Sequence, residues 1–393
     1  MRLERLAYKD KDSEWELEPL DFLPDLNLLV GVSGVGKTRI LESIVNLKAI
    51  AEGGFRPRPR GTGRRPWGIA WNATFYNEGK QYQWVGEFRT RKPYSDEPDS
   101  GETLPYSQDA DEAQPGPTFV RESLAEDGKV IVERDSEGIR LRGNATPKLS
   151  PFHSVLVILN EEEGVSSACA AFKQIMFIDN TQLYDQGFFF RLGLEEAAKQ
   201  FKTLQAIRRS DFPTFAKLYL AFKNVPEVFE QVKSRFISVF PMVKTIDITI
   251  QKAGRFGDIP RLRMREHDVG KWIPEQRISS GMLRTLEHLS RMLLWPDGTV
   301  TLIDEFENSL GVNCIDFITK DLVNESRRLQ FIVTSHHPYI INNIDTRHWK
   351  IVTRRGHTVA VRDANGLGLE ASRHQAFIKL INLEAYSEGI HVP

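Results

Sequence analysis

The stretch Gly31–Thr38 contains residue types that bind phosphate groups. Its sequence, Gly-Val-Ser-Gly-Val-Gly-Lys-Thr, fits the pattern GxxxxGK[ST]. Lys37 is placed to reach the outer phosphates of a nucleotide, and the hydroxyl of Thr38 is placed to hold Mg²⁺. A simple glycine-rich turn would leave these two residues without a function. Three glycines permit backbone angles that are closed to other residues, so successive N–H groups can surround an anion: Gly31, Gly34 and Gly36.

A second motif, Val300–Glu305, is an apolar run that ends in two acidic residues. It is typical of the Walker B strand, in which Asp304 faces Mg²⁺ beside the phosphate loop and Glu305 polarises the attacking water. An apolar run followed by Asp-Glu is common, and its acids can simply cap the following helix. Because this chain also contains Gly31–Thr38, the pair predicts nucleotide hydrolysis.

Two shorter motifs flank the Walker B strand. Ser279–Gly281 lies at the start of a predicted helix, where backbone N–H groups offer a second anion site, although an ordinary N-cap has the same composition. Phe331–Pro338 is an apolar strand that ends in two histidines, at the sheet edge where doubly wound folds bind ligands. A lone histidine there can be structural, but one crossover helix after Walker B, His336 is typical of a sensor of the γ-phosphate.

The elements that position these motifs follow from hydrophobic periodicity. The apolar run Leu26–Val30 predicts a strand before the phosphate loop, and helical spacing over Lys37–Ala51 predicts an amphipathic helix after it. Leu192–Arg208 is predicted to be a helix. Between Arg91 and Pro117, Pro, Ser, Gly and acidic residues dominate, which predicts a mobile insertion.

Composition bounds the class of protein. The 393 residues carry a formal net charge of -1, which gives no overall attraction to nucleic acid or to anionic membranes. Cys169 and Cys314 have no partner at metal-binding spacing, so we expect buried thiols. With neither a signal peptide nor a long apolar stretch in the sequence, we expect a cytoplasmic protein without membrane contact.

Taken together, the motifs resemble those of ABC-type ATPase heads. More closely, the chain is similar to bacterial AAA-family ATPases related to the overcoming-lysogenisation-defect proteins and to SMC and RecF heads. Ser279–Gly281 resembles the signature motif, with Ser280 at the first of the two glycine positions. Asp304–Leu310 looks like Walker B running into a D-loop, with Asn308 and Ser309 at a dimer contact. His336, not His337, matches the switch histidine.

The resemblance implies an α/β P-loop NTPase with an ABC-type ATPase head: a mixed β lobe, a parallel sheet with helices, and a helical insertion. We predict a first lobe over residues 1–160, a helical subdomain over 161–270 and a second lobe over 271–393. Two residues, Gln182 and Gln174, are candidates for the Q-loop glutamine.

The resemblance also implies a site for ATP and Mg²⁺. Glu305 and His336 would be catalytic, and Thr38 and Asp304 would hold the metal. Two heads would sandwich two ATP molecules, in a homodimer that can build into a higher oligomer. The predicted nucleotide-binding residues, two of them acting across the dimer, are Ser33, Gly34, Val35, Gly36, Lys37, Thr38, Arg39, Asp304, Ser279 and Gly281.

Three functions fit such a head. One is the ATPase of an anti-phage defence system, which senses infection through DNA or a phage protein and controls a separately encoded nuclease or toxin. The second is a DNA-repair ATPase of the RecF/SMC type, and the third is a non-catalytic or transport-coupling module. The complete motif set argues against the third. No coiled-coil heptads are visible, and the sequence after His336 is too short for a Toprim nuclease, so we favour the defence function.

The Pro/Gly-rich loop Phe55–Trp67 contains five arginines, whose role the sequence does not decide. They either seek phosphate or acidic groups on nucleic acid or a protein partner, or pair with nearby carboxylates in a solvated loop. Neighbouring genes, replication and repair genes or a nuclease or toxin gene, would distinguish the two main functions.

Overall fold

The structure is a computed structural model, and it describes residues 1–53, 68–89, 118–178, 193–252, 258–308, 312–325, 328–364 and 379. The described chain forms two compact units. The first comprises Met1–Met176 and the described residues from Arg347 onward, and the second comprises Phe177–Thr346. The chain passes from the first unit to the second within strand β10 (Ile175–Ile178). The lobe bounds predicted at residues 160 and 270 stay a prediction.

The first unit is built on a mixed sheet. Its strands are hydrogen-bonded in the order β3-β16-β17-β2-β1-β4-β5-β6-β7-β8-β9. The pairs β3–β16 and β2–β17 are parallel, whereas β1–β2, β1–β4 and the chain of pairs from β4 to β9 are antiparallel. The strands are β1 (Arg2–Asp10), β2 (Glu16–Asp21), β3 (Leu26–Val30), β4 (Gly68–Asn77), β5 (Lys80–Arg89), β6 (Thr118–Glu126), β7 (Lys129–Arg134), β8 (Ile139–Leu141), β9 (Asn144–Ala145), β16 (Trp349–Arg355) and β17 (Thr358–Asp363).

The helices of the first unit are α1 (Lys37–Ala51), α2 (Val155–Ile158) and α3 (Val165–Lys173). Every residue of β3 is buried, as expected for a strand that is covered on both faces. Its buried Asn27 closes the preceding turn, since the side-chain amide bonds both the N–H and the carbonyl of Leu23 at 2.8 and 2.9 Å. Both predicted elements around the phosphate loop, the strand Leu26–Val30 and the helix Lys37–Ala51, are therefore confirmed.

Aromatic side chains fill the core of the first unit. Trp71 lies over Gly86 on the neighbouring strand, and a Cβ at Gly86 would be 2.1 Å from the indole ring. Trp84 packs edge-on against Trp71 and Phe172, with ring centroids 4.8 and 5.0 Å apart. Alternating apolar residues thus direct one face of the β4–β5 hairpin onto helix α3.

The second unit contains a three-stranded antiparallel sheet and a parallel strand pair. The sheet is formed by β11 (Val243–Lys252), β12 (Asp258–Glu266) and β13 (Ile273–Pro274), and the parallel pair by β14 (Val300–Ile303) and β15 (Gln330–Thr334). The helices are α4 (Leu194–Gln200), α5 (Leu204–Arg209), α6 (Thr214–Asn224), α7 (Pro226–Val239), α8 (Ser280–Leu294), α9 (Val312–Glu325) and α10 (Pro338–Asn343).

The prediction of one continuous helix over Leu192–Arg208 is wrong. The chain leaves the helix after Gln200 and starts α5 at Leu204. The amide of Asn224 donates to the carbonyls of Ala198 and Phe201 at 2.6 and 2.9 Å, which satisfies the end of α4. The hydroxyl of Thr203 then accepts from the N–H of Ala206 at 3.2 Å and caps α5.

Several predictions lie outside the described residues. They are the arginine loop Phe55–Trp67, the insertion Arg91–Pro117, Gln182 and Ser309.

Candidate functional site

The phosphate loop joins β3 to α1 within the first unit. Gly34 and Gly36 adopt φ values of 84° and 107°, in the left-handed region that residues with a Cβ avoid. Gly31 has a different requirement: a Cβ there would lie 2.6 Å from the carbonyl oxygen of Val352 on β16. The glycine pattern therefore has a separate physical reason at each position.

Lys37 is the first residue of helix α1 and is buried. Its ammonium group donates to the carbonyls of Gly31 and Val32 at 2.8 and 2.9 Å, so it is folded against the loop itself. The N-cap of α1 is Gly36, which has no side chain to bond the first N–H groups, and the first turn contains no acidic residue. This helix start therefore offers N–H groups and a positive partial charge to an anion.

The remaining predicted loop residues differ in their surroundings. Ser33 is exposed, Val35 is buried and Thr38 is half-buried. Arg39 points to the turn between β1 and β2, where its guanidinium bonds the hydroxyl of Ser13 at 2.5 Å. The same guanidinium lies 3.3 Å from Asp10 and 4.8 Å from the ring centroid of Trp15. Burial lowers the pKa of Arg39.

A further positively charged residue lies beside the phosphate loop and was not predicted from the sequence. Arg354, near the end of β16, donates to the carbonyl of Gly34 at 3.4 Å and to that of Gly356 at 2.7 Å. Because β16 runs parallel to β3, both strands end at the same edge of the sheet. Their register in the folded chain, which the sequence does not show, brings this arginine to the loop.

In the second unit, Asp304 and Glu305 follow strand β14 directly. Glu305 has an exposed side chain and a φ of 46°, which is left-handed for a residue with a Cβ. The carboxylate of Asp304 accepts a hydrogen bond from the hydroxyl of Thr334 at 2.6 Å. The same hydroxyl accepts from the N–H of Glu305 at 2.8 Å. Thr334 lies within the motif Phe331–Pro338 but is not among the predicted site residues.

His336 and His337 have different roles in the fold. The ring of His337 accepts from the N–H of Tyr339 at 3.2 Å and caps helix α10. His336 is exposed, and its backbone N–H donates to the carboxylate of Glu307 at 2.7 Å. The side chain of His337 is thus engaged in a structural cap, and the role predicted for His336 as a sensor stays a prediction.

Helix α8 begins at the predicted signature residues. The hydroxyl of Ser279 accepts from the N–H of Met282 at 3.3 Å, so within this chain it is the N-cap. Both Ser279 and Ser280 are exposed at the helix start. One turn further, Arg284 donates to the carbonyl of Asn308 at 3.3 Å, which connects α8 to the segment after Walker B.

A buried histidine also lies between these two segments. The ring of His288 packs against Phe306 with centroids 6.0 Å apart. Burial, with smaller effects from the positive charges of Arg291 and Arg284, lowers the pKa of His288 to about 3. The imidazole is therefore neutral at physiological pH.

The comparison with protein families identifies the chain. The family described as "AAA domain, putative AbiEii toxin, Type IV TA system" matches residues 117–342, which is more than half of the sequence. The chain belongs to this AAA-domain family. The matched range contains Ser279, Asp304, Glu305 and His336, and the phosphate loop precedes it. No curated protein matches the sequence significantly.

Solved structures of SMC heads are similar to this AAA-domain protein. The SMC head bound to the C-winged helix domain of ScpA has a TM-score of 0.51 at 13% identity, covering 92% of this chain and 98% of that chain. The SMC head domain from Thermotoga maritima matches at 0.44 and 13% identity, covering 92% and 99%. A Pyrococcus furiosus head matches at 0.49 and 12%, covering 97% and 99%. The first likeness shows the fold of an SMC ATPase head, which confirms the predicted P-loop NTPase class.

Thr38 and Asp304, the residues predicted to hold Mg²⁺, both have side-chain oxygen atoms. Nowhere in the described residues do three or more His, Cys, Asp or Glu side chains gather as a metal cage. Mg²⁺ at nucleotide sites is usually held by one or two protein oxygens together with phosphate oxygens. A threonine hydroxyl and an aspartate carboxylate are hard oxygen donors of this kind, and the carboxylate of Asp304 accepts a hydrogen bond from the hydroxyl of Thr334.

One of the two Q-loop candidates can be located. Gln174 precedes strand β10, its carbonyl oxygen accepts from the amino group of Met1 at 2.7 Å, and its amide donates to Asn77 at 3.4 Å. A Q-loop residue would instead follow its strand, at the carboxyl end where ligands bind. The surroundings of Gln174 thus indicate a structural role.

None of the helices that the structure describes has the length and apolar character of a membrane span.

Proposed function

We propose that this AAA-domain protein binds ATP with Mg²⁺, hydrolyses it, and uses the nucleotide to control its own assembly. The observation that carries the proposal is the phosphate loop. Lys37 is buried with its ammonium group on the loop carbonyls, behind a helix start that has neither a side-chain cap nor an acidic residue. Phosphate oxygens of a bound nucleotide would accept charge-assisted hydrogen bonds from this ammonium group.

The roles of the other residues follow from their positions. Thr38 and Asp304 would hold Mg²⁺, which supplies positive charge to the phosphates. Glu305 would accept a proton from the attacking water, and its exposed carboxylate at the end of β14 supports this role. His336, exposed at the end of β15, would donate a hydrogen bond to the γ-phosphate.

The start of helix α8 supports a dimeric site. Ser279 and Ser280 are exposed, so the helix N-terminus is accessible to a nucleotide bound by a second copy. Together with Gly281, these residues would meet the γ-phosphate from the side opposite to Lys37. The phosphate would then link two copies, and the homodimer would open when the phosphate is lost.

We further propose that the assembly state controls a separately encoded effector, a nuclease or toxin, in an anti-phage defence system. The family description, which names a toxin and a toxin–antitoxin system, supports a partnership of this kind. A solved SMC head of similar fold binds a domain of another protein, ScpA. Purification of the chain with its neighbouring gene product, with and without ATP, tests the partnership. Salt-dependent DNA binding without any protein partner would instead favour the repair function.

Hydrolysis is tested by phosphate release from the full-length chain. We expect Mg²⁺-dependent release by the wild type, no binding or release by Lys37→Ala, and binding without release by Glu305→Gln. Lys129→Ala, at an exposed lysine of β7, is the control and should match the wild type. A wild-type chain that binds no ATP in the presence of Mg²⁺ would contradict the proposal.

A further inference from the structure

Thr334 contacts three consecutive residues of the segment that follows β14. It is the last residue of β15 and is 1% exposed. Its hydroxyl donates to Asp304 at 2.6 Å and accepts from the N–H of Glu305 at 2.8 Å. Its carbonyl accepts from the N–H of Phe306 at 3.0 Å. These directions are fixed, because an ionised carboxylate only accepts and a backbone amide only donates.

The contacts occur where the backbone is unfavourable. Glu305 has a φ of 46°, a conformation that a residue with a Cβ keeps only when its surroundings enforce it. The Thr334 hydroxyl supplies one such constraint, since it binds the amide of the residue in question. A second connection lies two residues further along, where Glu307 accepts from the N–H of His336 at 2.7 Å. The ends of β14 and β15 are therefore joined at two places by side chains.

We propose that Thr334 is a positioning residue for hydrolysis, whose hydroxyl orients the metal-binding carboxylate of Asp304 and holds the backbone of Glu305. This inference rests on the proposed function of the two acids. One hydroxyl serves both, so a change at Thr334 alters the metal site and the water-activating residue together. A hydroxyl oxygen on a short side chain can donate and accept at the same atom. Valine lacks this oxygen, and acidic or amide side chains do not combine both properties in one atom so close to the backbone.

The alternative is that Thr334 merely stabilises the fold. The chain offers a matched control on the adjacent strand, because Thr301 of β14 is fully buried and its hydroxyl has no hydrogen-bond partner. Thr301→Val and Thr334→Val make the same chemical change on paired strands. Only the second removes hydrogen bonds to Asp304 and Glu305.

The experiment measures three properties of the full-length chain. The first is the Mg²⁺ requirement for nucleotide binding, measured with a fluorescent ADP analogue so that no hydrolysis is needed. It is the Mg²⁺ concentration at which half of the metal-dependent increase in affinity is reached. The second is hydrogen exchange of the backbone over residues 304–308. The third is the steady-state kcat and KM for ATP. The variants are Thr334→Val, Thr334→Ser and the control Thr301→Val.

For Thr334→Val we expect a 10- to 100-fold loss in kcat and a similar rise in the Mg²⁺ requirement, the usual effect of removing a partner that orients a metal ligand. At saturating Mg²⁺, KM for ATP should change less than about threefold, because Lys37 and the phosphate loop are untouched. Exchange over 304–308 should accelerate. Thr334→Ser should stay close to the wild type, and Thr301→Val should match it.

The inference is overturned if Thr334→Val behaves like Thr301→Val in Mg²⁺ requirement and exchange, or if Thr334→Ser loses as much as Thr334→Val. If Thr334→Val does not fold, Thr334→Cys replaces it, since its thiol is a weak hydrogen-bonding group of serine-like size. Absence of ATP hydrolysis by the wild type would instead contradict the proposed function. The Mg²⁺ titration and the exchange measurement would still decide the positioning role.

Discussion

Glycine should be more stabilising than alanine at position 305, the reverse of its usual effect. Glu305 has a φ of 46°, and this left-handed conformation costs a residue with a Cβ about 1–2 kcal/mol. Glycine avoids that cost but loses about 0.5–1 kcal/mol more conformational entropy on folding. The difference predicts that Glu305→Gly unfolds with a free energy about 0.5–1 kcal/mol larger than that of Glu305→Ala. Both variants lack the carboxylate, so the comparison isolates the backbone.

The assay is urea unfolding of the two variants under identical conditions, followed by circular dichroism. The matched control is the same pair of substitutions at Glu230, an exposed residue inside helix α7, where alanine should be favoured by about 1 kcal/mol. Opposite signs at the two positions are the expected result. If alanine is favoured at position 305 as well, Glu305 is not held in a left-handed conformation. The hydrogen bond from Glu305 to Thr334 would then not be needed to hold the backbone.

Three further predictions concern packing, pH and nucleotide affinity. Gly86→Ala should destabilise the fold by about 1–3 kcal/mol, measured by urea unfolding, because the new Cβ would overlap the ring of Trp71. The pKa of His288 is about 3 in the folded chain and about 6.5 in the unfolded chain, so below pH 6.5 only the unfolded chain binds the proton. The free energy of unfolding should therefore fall by about 1.4 kcal/mol for each unit that the pH is lowered. His288→Gln should remove this dependence between pH 6.5 and 5. Arg354→Ala should weaken ATP binding severalfold by calorimetry, because its guanidinium contacts the phosphate loop, whereas the exposed neighbour Arg355→Ala should not.

Each prediction has a contradicting outcome. A Gly86→Ala chain as stable as the wild type would mean that the indole has another position. Parallel pH profiles of wild type and His288→Gln would mean that the imidazole is solvated. Equal ATP affinities of the Arg354 and Arg355 variants would remove Arg354 from the nucleotide site.

The sequence was sufficient where a local pattern has one structural solution. The strand Leu26–Val30 and the helix Lys37–Ala51 were predicted with their observed bounds, because an apolar run before a glycine-rich loop and a helical period after it have few alternatives. The break between α4 and α5 was not predictable in this way. It depends on the amide of Asn224, more than twenty residues away along the chain, which bonds the last carbonyls of α4.

The site shows the same division. Lys37, Asp304 and His336 were predicted as site residues because their types and spacing form motifs. The contacts of Thr334 and Arg354 depend on which strands are neighbours and in which register: β14 with β15, and β3 with β16. A single threonine or arginine carries no signal of such a contact in the sequence, so only the fold reveals these residues.

The claim that the nucleotide sets the assembly state is tested most directly by sedimentation velocity of Glu305→Gln. Without nucleotide we expect a monomer, and with ATP and Mg²⁺ we expect a dimer, because the uncleaved γ-phosphate would link Lys37 of one copy to Ser279 and Gly281 of the other. The double variant Lys37→Ala, Glu305→Gln should remain monomeric in both conditions. An assembly state that is the same with and without ATP would contradict the account.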